Sequence, residues 1–413
     1  MKQVRCARCT ICGREYPAVP ELTTCHCGGI LDIVYDYDYI RSVLTKETLA
    51  QRTNPTMWRY RELLPVEDST PDTPLRVGGS PLYAQSALAD ELGLDALWIK
   101  DDGQNPTASL KDRASAMAVA KAWEAGAEII ACSSTGNAAS SLAGNAAAAG
   151  LKTYIFVPER APKGKVAQLM IFGAHVISVR GSYEDTFRLS AQAIERYGWY
   201  NRNAAVNPYL SEGKKTVSLE LAEQLSWQMP DYLAISVGDG CTIAGVWKGL
   251  KDLYALGFID RLPRLISGQA AGCCPINRAI RTGEDWQPME ENTLADSIAV
   301  GVPRNAHKAL CAIRESRGLA VDVTDEEILQ AMTFLGRRCG LFGEPAGVTG
   351  FAALHKACRE GLIERGATAA CIITGNGLKD VANAIAAAGE PVSIPPDLEE
   401  MVRQFRLRGV TVE

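Results

Sequence analysis

The sequence predicts an α/β fold built on mostly parallel sheets that carry helices on both faces. Short apolar runs alternate with alanine-rich helical stretches from residue 96 onward. These helical stretches are roughly 12 to 16 residues long, and strand–helix–strand repeats at that spacing are typical of doubly covered parallel sheets. The strand-like runs are residues 96–99, 129–132, 153–157, 175–179, 232–237, 264–267 and 369–373.

The composition indicates a globular protein of two or three domains, because the chain has 413 residues and a domain has about 150. A net charge of -5, from 43 basic and 48 acidic residues, argues against nucleic acid as a main partner. No apolar run reaches the length of about 18 residues that a membrane span needs, and we expect no secretory signal in the first residues. The 13 cysteines are odd in number and mostly isolated, which indicates reduced thiols in a cytoplasmic protein.

A lysine lies at the start of a predicted helix, in the loop of residues 105–113. The loop has turn chemistry, and the helix over residues 114–125 places Lys111 in its first turn. A cation there opposes the helix dipole, which lowers the pKa of the ammonium and favours Schiff-base chemistry. The alternative is an ordinary surface lysine.

A second loop, residues 133–137, follows an apolar strand and opens another alanine-rich helix. Its small hydroxyl residues and Gly136 let donors converge at a helix N-terminus, which suits a carboxylate. An ordinary capping turn is the alternative. A third loop, residues 238–242, has two glycines at a strand-to-helix turn and can cradle a phosphate with backbone N–H groups. Many strand-to-helix turns carry glycine, so this loop alone is a weak signal.

Together the three loops describe a pyridoxal phosphate site, and the chain resembles the threonine synthase family. Residues 105–113, Asn-Pro-Thr-Ala-Ser-Leu-Lys-Asp-Arg, are similar to the Asn-Pro-Thr-Gly-Ser-Phe-Lys-Asp-Arg motif of those enzymes. They are pyridoxal phosphate enzymes of fold type II, the fold of the tryptophan synthase β-subunit. The resemblance runs in order through residues 27–32, 57–60, 134–137, 164–168, 207–208, 212–216, 344–346 and 374–380.

The resemblance implies a role for each matching position. Lys111 would hold the cofactor as an internal aldimine and serve as acid and base. Asn137 would bond the ring O3′, and Thr374 would lie at the pyridine nitrogen, where a hydroxyl favours elimination over transamination. Ser134, Thr135 and Gly136 would hold the substrate carboxylate. The phosphate of the cofactor would be bound by Gly238, Asp239, Gly240, Cys241 and Thr242.

The resemblance also implies an architecture of two doubly wound parallel-sheet domains with a small cysteine-rich extension, assembled as a homodimer. We expect a zinc-ribbon-like extension over residues 1–45. An α/β domain with Lys111 and a mobile substrate loop would cover 46–205. A phosphate-binding α/β domain would cover 206–395, and a tail 396–413. A small amino acid would be the substrate, with no membrane or nucleic-acid partner.

The sequence departs from the family where a substrate phosphate would bind. Leu210 stands where the family has an arginine, and Ala205 replaces a serine. Loss of the guanidinium would cost a desolvated phosphate about 2–5 kcal/mol. We therefore expect weak use of O-phosphohomoserine, with discrimination of about 10²-fold or more. Other cations could supply the phosphate site, namely Lys163, Lys165, Lys214 or Arg304.

Other departures from the family lie beside the lysine, at Ala108 and Leu110. Another lies in the third loop, where the carboxylate of Asp239 would be unfavourable near a phosphate unless it points away. Residues 296–303 look somewhat like a loop of serine/threonine dehydratases and diaminopropionate ammonia-lyases, or are a plain strand and turn.

The N-terminal cysteines form two pairs, Cys9 with Cys12 and Cys25 with Cys27. Two thiolate pairs on turns predict a tetrahedral zinc site, although the second pair is spaced more tightly than usual. A metal-free relic is the alternative.

The expected function is a pyridoxal-phosphate-dependent carbon–oxygen lyase or synthase acting on a β- or γ-substituted amino acid. Threonine synthase from O-phosphohomoserine is the first named activity. The alternatives are a dehydratase, an ammonia-lyase or a cysteate-synthase-like β-replacement enzyme. A non-catalytic, cofactor-binding regulator is the alternative of another class.

Overall fold

The computed structural model describes residues 1–134, 136–161, 163–203 and 206–409, so the predictions for Thr135 and Ala205 lie outside the described residues. The N-terminal residues form a small antiparallel sheet in the order β2-β1-β3. Every second residue of its third strand is buried, so one face of the sheet packs on the main body. The elements are β1 (Val4–Cys9), β2 (Glu15–Tyr16), β3 (Leu31–Tyr35), α1 (Tyr37–Val43) and α2 (Lys46–Ala50).

Six strands and five helices follow. The strands are β4 (Leu82–Ala84), β5 (Ala96–Asp101), β6 (Ile129–Ser133), β7 (Lys152–Pro158), β8 (His175–Val179) and β9 (Tyr200–Asn201). The helices are α3 (Ser86–Leu92), α4 (Lys111–Glu124), α5 (Asn137–Ala148), α6 (Lys163–Ile171) and α7 (Tyr183–Tyr197). Short 3₁₀ helices cover Met57–Leu63 and Asp102–Gln104.

The remaining elements belong to the second half of the chain. The strands are β10 (Tyr232–Ser236), β11 (Arg264–Ala270), β12 (Leu319–Val323) and β13 (Thr368–Ile373). The helices are α8 (Tyr209–Gln224), α9 (Cys241–Ala255), α10 (Pro275–Thr282), α11 (Ala306–Glu315), α12 (Asp325–Cys339), α13 (Pro345–Arg359), α14 (Val381–Ala388) and α15 (Leu398–Leu407). Further 3₁₀ helices cover Asp296–Ile298 and Gly377–Lys379.

Two larger sheets organise the molecule and confirm the predicted fold class. The first is four-stranded and parallel, in the order β8-β7-β6-β9. The second is six-stranded, in the order β12-β11-β10-β13-β5-β4, and is parallel except for β4. Strands β4 and β5 lie within the expected domain 46–205, yet they complete the sheet of the second half through the pairing of β5 with β13.

Helix α8 packs against α4 and α9 and is buried over most of its length. Its polar residues therefore need partners inside the protein. One such partner is Arg113, two residues after Lys111, whose guanidinium is fully buried and forms ion pairs with Asp102 and Glu220. This network ties the first turn of α4 to β5 and α8, and so holds the lysine loop in place.

The loops that follow β5, β6, β10 and β13 lie at the carboxyl ends of these strands, which is where parallel sheets bind ligands. In the part of the chain that the structure describes, no helix has the length and hydrophobicity needed to cross a lipid bilayer.

Candidate active site

A cavity of about 640 Å³ collects side chains from both parallel sheets. It brings together the lysine loop (residues 105–113), the asparagine loop (residues 133–137) and one residue of the phosphate loop (residues 238–242). The residues of these loops that line it are Lys111, Ser133, Ser134, Gly136, Asn137 and Asp239. The sequence-predicted loops therefore converge on one site, as the strand order requires.

Lys111 is half-buried and is the first residue of α4. The N–H of the preceding Leu110 donates to the carbonyl of Thr374 at 2.9 Å, so the residue expected at the pyridine nitrogen is held next to the lysine. Ala108 has a φ of 67°, a left-handed conformation that favours glycine, which is what the family motif has at that position. Burial, and then the positive charge of Lys214, lower the pKa of Lys111 to about 8.

Asn137 begins α5 and donates a side-chain hydrogen bond to Glu344, the residue that precedes α13. Glu344 is 2% exposed. Burial, and then the neighbouring charge of Asp296, raise the pKa of Glu344 to about 7. The sequence marked Glu344 only as part of a matching motif, and its place beside Asn137 follows from the packing of α13.

The phosphate loop leads into the N-terminus of α9. Gly240 has a φ of 89°, and a Cβ there would come within 2.8 Å of the Asn305 carbonyl, so only glycine fits. No side chain caps the helix, and within the described residues the backbone N–H groups of Gly240 and Thr242 have no hydrogen-bond partner. The N–H of Arg304 donates to Asp239 Oδ1 at 2.7 Å, which turns that oxygen toward residue 304.

Residues 74–375 match the family described as pyridoxal-phosphate-dependent enzymes. The chain belongs to this family. Over 399 residues it is 42% identical to the threonine synthase of Methanocaldococcus jannaschii, a match that covers 96% of this chain and 98% of that protein. The threonine synthase of Methanosarcina acetivorans is 40% identical over 396 residues, with 95% and 96% covered.

Solved structures of the same fold support the architecture. Diaminopropionate ammonia lyase from Escherichia coli superposes with a TM-score of 0.64 at 18% identity, covering 83% of this chain and 93% of that one. Maize serine racemase superposes with a TM-score of 0.62 at 20% identity, covering 80% and 93%. At these identities the likeness shows the fold alone.

The residues present fit the cofactor of the family. Two buried polar atoms on the wall of the cavity, Ser133 Oγ and Asn203 Nδ2, have no hydrogen-bond partner in the described protein. The backbone N–H groups of Gly240 and Thr242 add to them. Donors without acceptors around an amine of lowered pKa suit an anionic aldehyde such as pyridoxal phosphate.

The structure places the other predicted substrate residues differently. Ser134 and Gly136 line the cavity, and Ser134 Oγ accepts from the Gly136 N–H at 3.2 Å. Leu210 has no accessible surface and packs into an apolar cluster of the first sheet that includes Ala114 and Cys132. The structure therefore does not bring Leu210 to the wall of the cavity.

The cations named as alternative phosphate ligands differ in their ion pairs, their burial and their position relative to the cavity. Lys165 forms an ion pair with Asp296, and Arg304 lines the cavity while it pairs with Glu184 at 3.5 Å. Lys214 is 2% exposed, and the side chain of Lys163 lies outside the described part. Residues 296–303 include a short 3₁₀ helix and contribute to the cavity wall.

Arg202 is a cavity residue that the sequence did not mark. It follows β9, is 1% exposed and lines the cavity. Because β9 has only two residues and no apolar run, nothing local in the sequence indicates that the next side chain enters a site.

The four predicted metal ligands lie together in the N-terminal sheet. The Sγ atoms of Cys9, Cys12, Cys25 and Cys27 all lie within 4.8 Å of one another. The Cys9–Cys27 and Cys12–Cys25 sulfur pairs are 3.5 and 3.6 Å apart. Four thiolates at about 2.3 Å from a tetrahedral zinc would be about 3.8 Å apart. A Cβ at Gly29 would come within 2.6 Å of Cys9 Sγ, so only glycine fits beside the cluster.

Proposed function

We propose that this protein is a threonine synthase that acts on O-phosphohomoserine. The observation that carries the proposal is the convergence on one cavity of Lys111, Asn137 and Asp239, which shortly precedes the uncapped N-terminus of α9. The identity of 42% over 96% of the chain to a threonine synthase supports the reaction class.

Bound pyridoxal phosphate would supply the electron sink for a carbanion at the substrate α-carbon. Lys111 Nζ would anchor the cofactor aldehyde, then take and return protons, which an amine with a pKa of about 8 can do at neutral pH. Asn137, held by Glu344, would orient the cofactor ring through its O3′. The hydroxyl of Thr374, unlike a carboxylate, would leave the ring nitrogen unprotonated and favour elimination.

The remaining groups bind and enclose the substrate. Ser134 and Gly136, at the start of α5, would hold the α-carboxylate, since a helix N-terminus attracts anions. The backbone N–H groups of Gly240 and Thr242 would hold the cofactor phosphate. The loop of residues 296–303 contributes to the cavity wall and would limit access of water.

A dehydratase is the second candidate, because residues 296–303 line the cavity and the fold is shared with threonine deaminase of tomato, Solanum lycopersicum. The test is a kcat/KM comparison across O-phosphohomoserine, phosphoserine, serine and threonine. A threonine synthase should prefer O-phosphohomoserine by about 10²-fold or more. Preference for unphosphorylated serine or threonine would instead make the protein a dehydratase, and no turnover of any of them would favour a regulator.

We also propose that the cysteine cluster binds one zinc ion, that the protein is cytoplasmic and that it forms a homodimer. The close approach of the four thiols supports zinc. Exposed apolar side chains on and beside α14 support self-association, since Leu378, Val381 and Ile385 are 72%, 52% and 52% exposed. Light scattering of the purified protein tests the dimer.

A further inference from the structure

Within the described residues, two buried cations beside the cavity form no ion pair with a carboxylate, although Asp112 and Asp239 act on them from a greater distance. Arg202 is 1% exposed and Lys214 is 2% exposed. In the described protein Lys214 forms no hydrogen bond or ion pair, and Arg202 donates only to the neutral hydroxyl Ser115 Oγ, at 3.1 and 3.2 Å. A buried charge without a counter-charge is costly. A ligand of opposite charge would remove that cost.

The other fully buried cations of the same region are paired. Lys100 forms an ion pair with Glu220 at 2.9 Å, and Lys215 pairs with Glu212 and Asp252 at 2.6 Å. The fold therefore supplies carboxylates where it buries structural cations. Arg202 and Lys214 differ from these cations, because neither forms an ion pair with a carboxylate of the described residues.

Both cations lie near Lys111, and their positive charges add to burial in lowering its pKa. Arg202 lines the cavity and bonds Ser115, which lies one helical turn after Lys111 on α4. Lys214 lies against α9, because a Cβ at Gly245 would be 3.2 Å from Lys214 Cβ. Gly245 is one turn after the start of that helix, so Lys214 packs against the first turns of α9.

The surrounding polar atoms are mostly donors. Ser133 Oγ and Asn203 Nδ2 are buried without a partner and belong to residues that line the same cavity. The nearest acid of the phosphate loop, Asp239, is engaged by the Arg304 N–H, and burial raises the pKa of Asp239. A group with several acceptor oxygens and a double negative charge matches this arrangement, and a phosphate monoester has both.

We propose that Arg202 and Lys214 bind the phosphate group of a phosphorylated amino-acid substrate and replace the arginine that Leu210 lacks. Leu210 packs in the cluster that contains Cys132, and Cys132 is also an electrostatic neighbour of Arg202. The Arg202 guanidinium therefore lies near the same cluster, although Arg202 follows β9 and Leu210 lies on α8. This inference rests on the proposed function, and it predicts efficient use of O-phosphohomoserine despite Leu210.

The experiment uses the holoenzyme and two variants, Arg202→Gln and Lys214→Gln. Binding of inorganic phosphate is measured by calorimetry, kcat/KM is measured with O-phosphohomoserine, and cofactor affinity is measured by fluorescence titration of the apoenzyme. We expect each variant to weaken phosphate binding by about tenfold or more and to lower kcat/KM by about 10²-fold. At a pH well above the pKa of Lys111, cofactor affinity should change by less than about threefold, since the backbone at the start of α9 would bind the cofactor phosphate.

Two further variants sharpen the test. Arg359→Gln removes an exposed cation that pairs with Glu327 away from the cavity, so phosphate affinity should stay within about twofold of wild type. Arg202→Lys keeps a positive charge at the same position and should retain more phosphate affinity than Arg202→Gln. If circular dichroism shows that Arg202→Gln does not fold, Lys214→Gln decides the question.

Unchanged phosphate binding in both single variants would overturn the inference, and so would a loss of cofactor affinity without a loss of phosphate binding. The proposed function fails separately. If wild type binds phosphate through Arg202 but does not turn over O-phosphohomoserine, the subsite stands and serves another phosphate ester. If wild type turns over O-phosphohomoserine and Arg202→Gln does so equally well, the function stands and the inference fails.

Discussion

The side chain of Asn137 donates a hydrogen bond to the carboxyl group of Glu344, although 207 positions separate the two residues in the sequence. Asn137 begins a helix that follows the four-stranded sheet, and Glu344 precedes a helix that packs on the six-stranded sheet. The bond therefore joins the two halves of the molecule at the wall of the cavity. It also fixes the orientation of the amide expected at O3′ of the cofactor.

The first prediction concerns that bond. Glu344→Ala should lower kcat by about 10- to 100-fold, because Asn137 would lose the acceptor that orients it. Glu344→Gln keeps an acceptor oxygen and should retain most of kcat. Glu344 has a pKa of about 7, so wild type should show a change in kcat or in the visible cofactor spectrum between about pH 6 and 8. That change should be missing from Glu344→Gln, and its persistence there would assign it to another group.

The second prediction tests the central lysine. Lys111→Ala should abolish turnover and the visible absorption of lysine-bound cofactor, because it removes both the covalent anchor and the base. The far-ultraviolet circular dichroism should be unchanged, since the side chain is only half-buried and lines a cavity. Near-normal turnover in this variant would contradict the whole assignment of the site.

The third prediction concerns the pH at which the apoenzyme takes up cofactor. The neutral amine of Lys111 attacks the aldehyde, so the rate of reconstitution should rise with pH and level off above the pKa of about 8. Lys214 contributes to that lowered pKa through its charge. Lys214→Met should therefore raise the midpoint of the pH profile, whereas an unchanged midpoint would mean that burial alone sets it.

The fourth prediction is that freshly purified protein contains about one zinc ion per chain, held by the four clustered thiols. Cys12→Ser should lose the metal and destabilise the N-terminal sheet. Cys6→Ser is the matched control, because Cys6 lies on the same sheet but outside the cluster, and it should keep the metal. Elemental analysis with thiol titration measures both, and metal-free protein with four freely titrating thiols would exclude the site.

The sequence predicts the strands of the sheet centres because these strands are apolar runs bounded by turns. It misses β12, since Leu319–Val323 contains an aspartate and is barely longer than a turn, and it misses the two-residue β9. Strands β5 and β13 pair with each other although they are distant in the sequence. No local pattern encodes that pairing.

The same distinction applies to the site. Lys111 and Asn137 stand in loops with their own turn and capping chemistry, so the sequence indicates them directly. Glu344 and Arg202 lie at the site only through packing between distant helices and strands. Leu210 shows the opposite effect, since a motif position expected to face substrate is packed into the apolar core.

The last prediction concerns the buried ion pairs beneath the lysine loop. Burial acts to raise the pKa of Glu220, but Arg113 and then Lys100 hold it down at about 2, below its ordinary value of 4.5. A carboxylate with a lowered pKa stabilises the folded state above its unfolded pKa, and this contribution is lost as the pH falls from about 4.5 toward 2.

Arg113→Met should leave Glu220 and Asp102 without their shared partner and lower the free energy of unfolding by about 3–5 kcal/mol at neutral pH. Arg403→Met removes an exposed pair with Glu400 and should cost less than about 1 kcal/mol. Urea unfolding at several pH values measures both variants, and the difference between wild type and Arg113→Met should shrink as the pH falls from about 4.5 toward 2, where the contribution of the Glu220 carboxylate is lost. Equal effects of the two substitutions would show that the buried network contributes no more to stability than a surface ion pair.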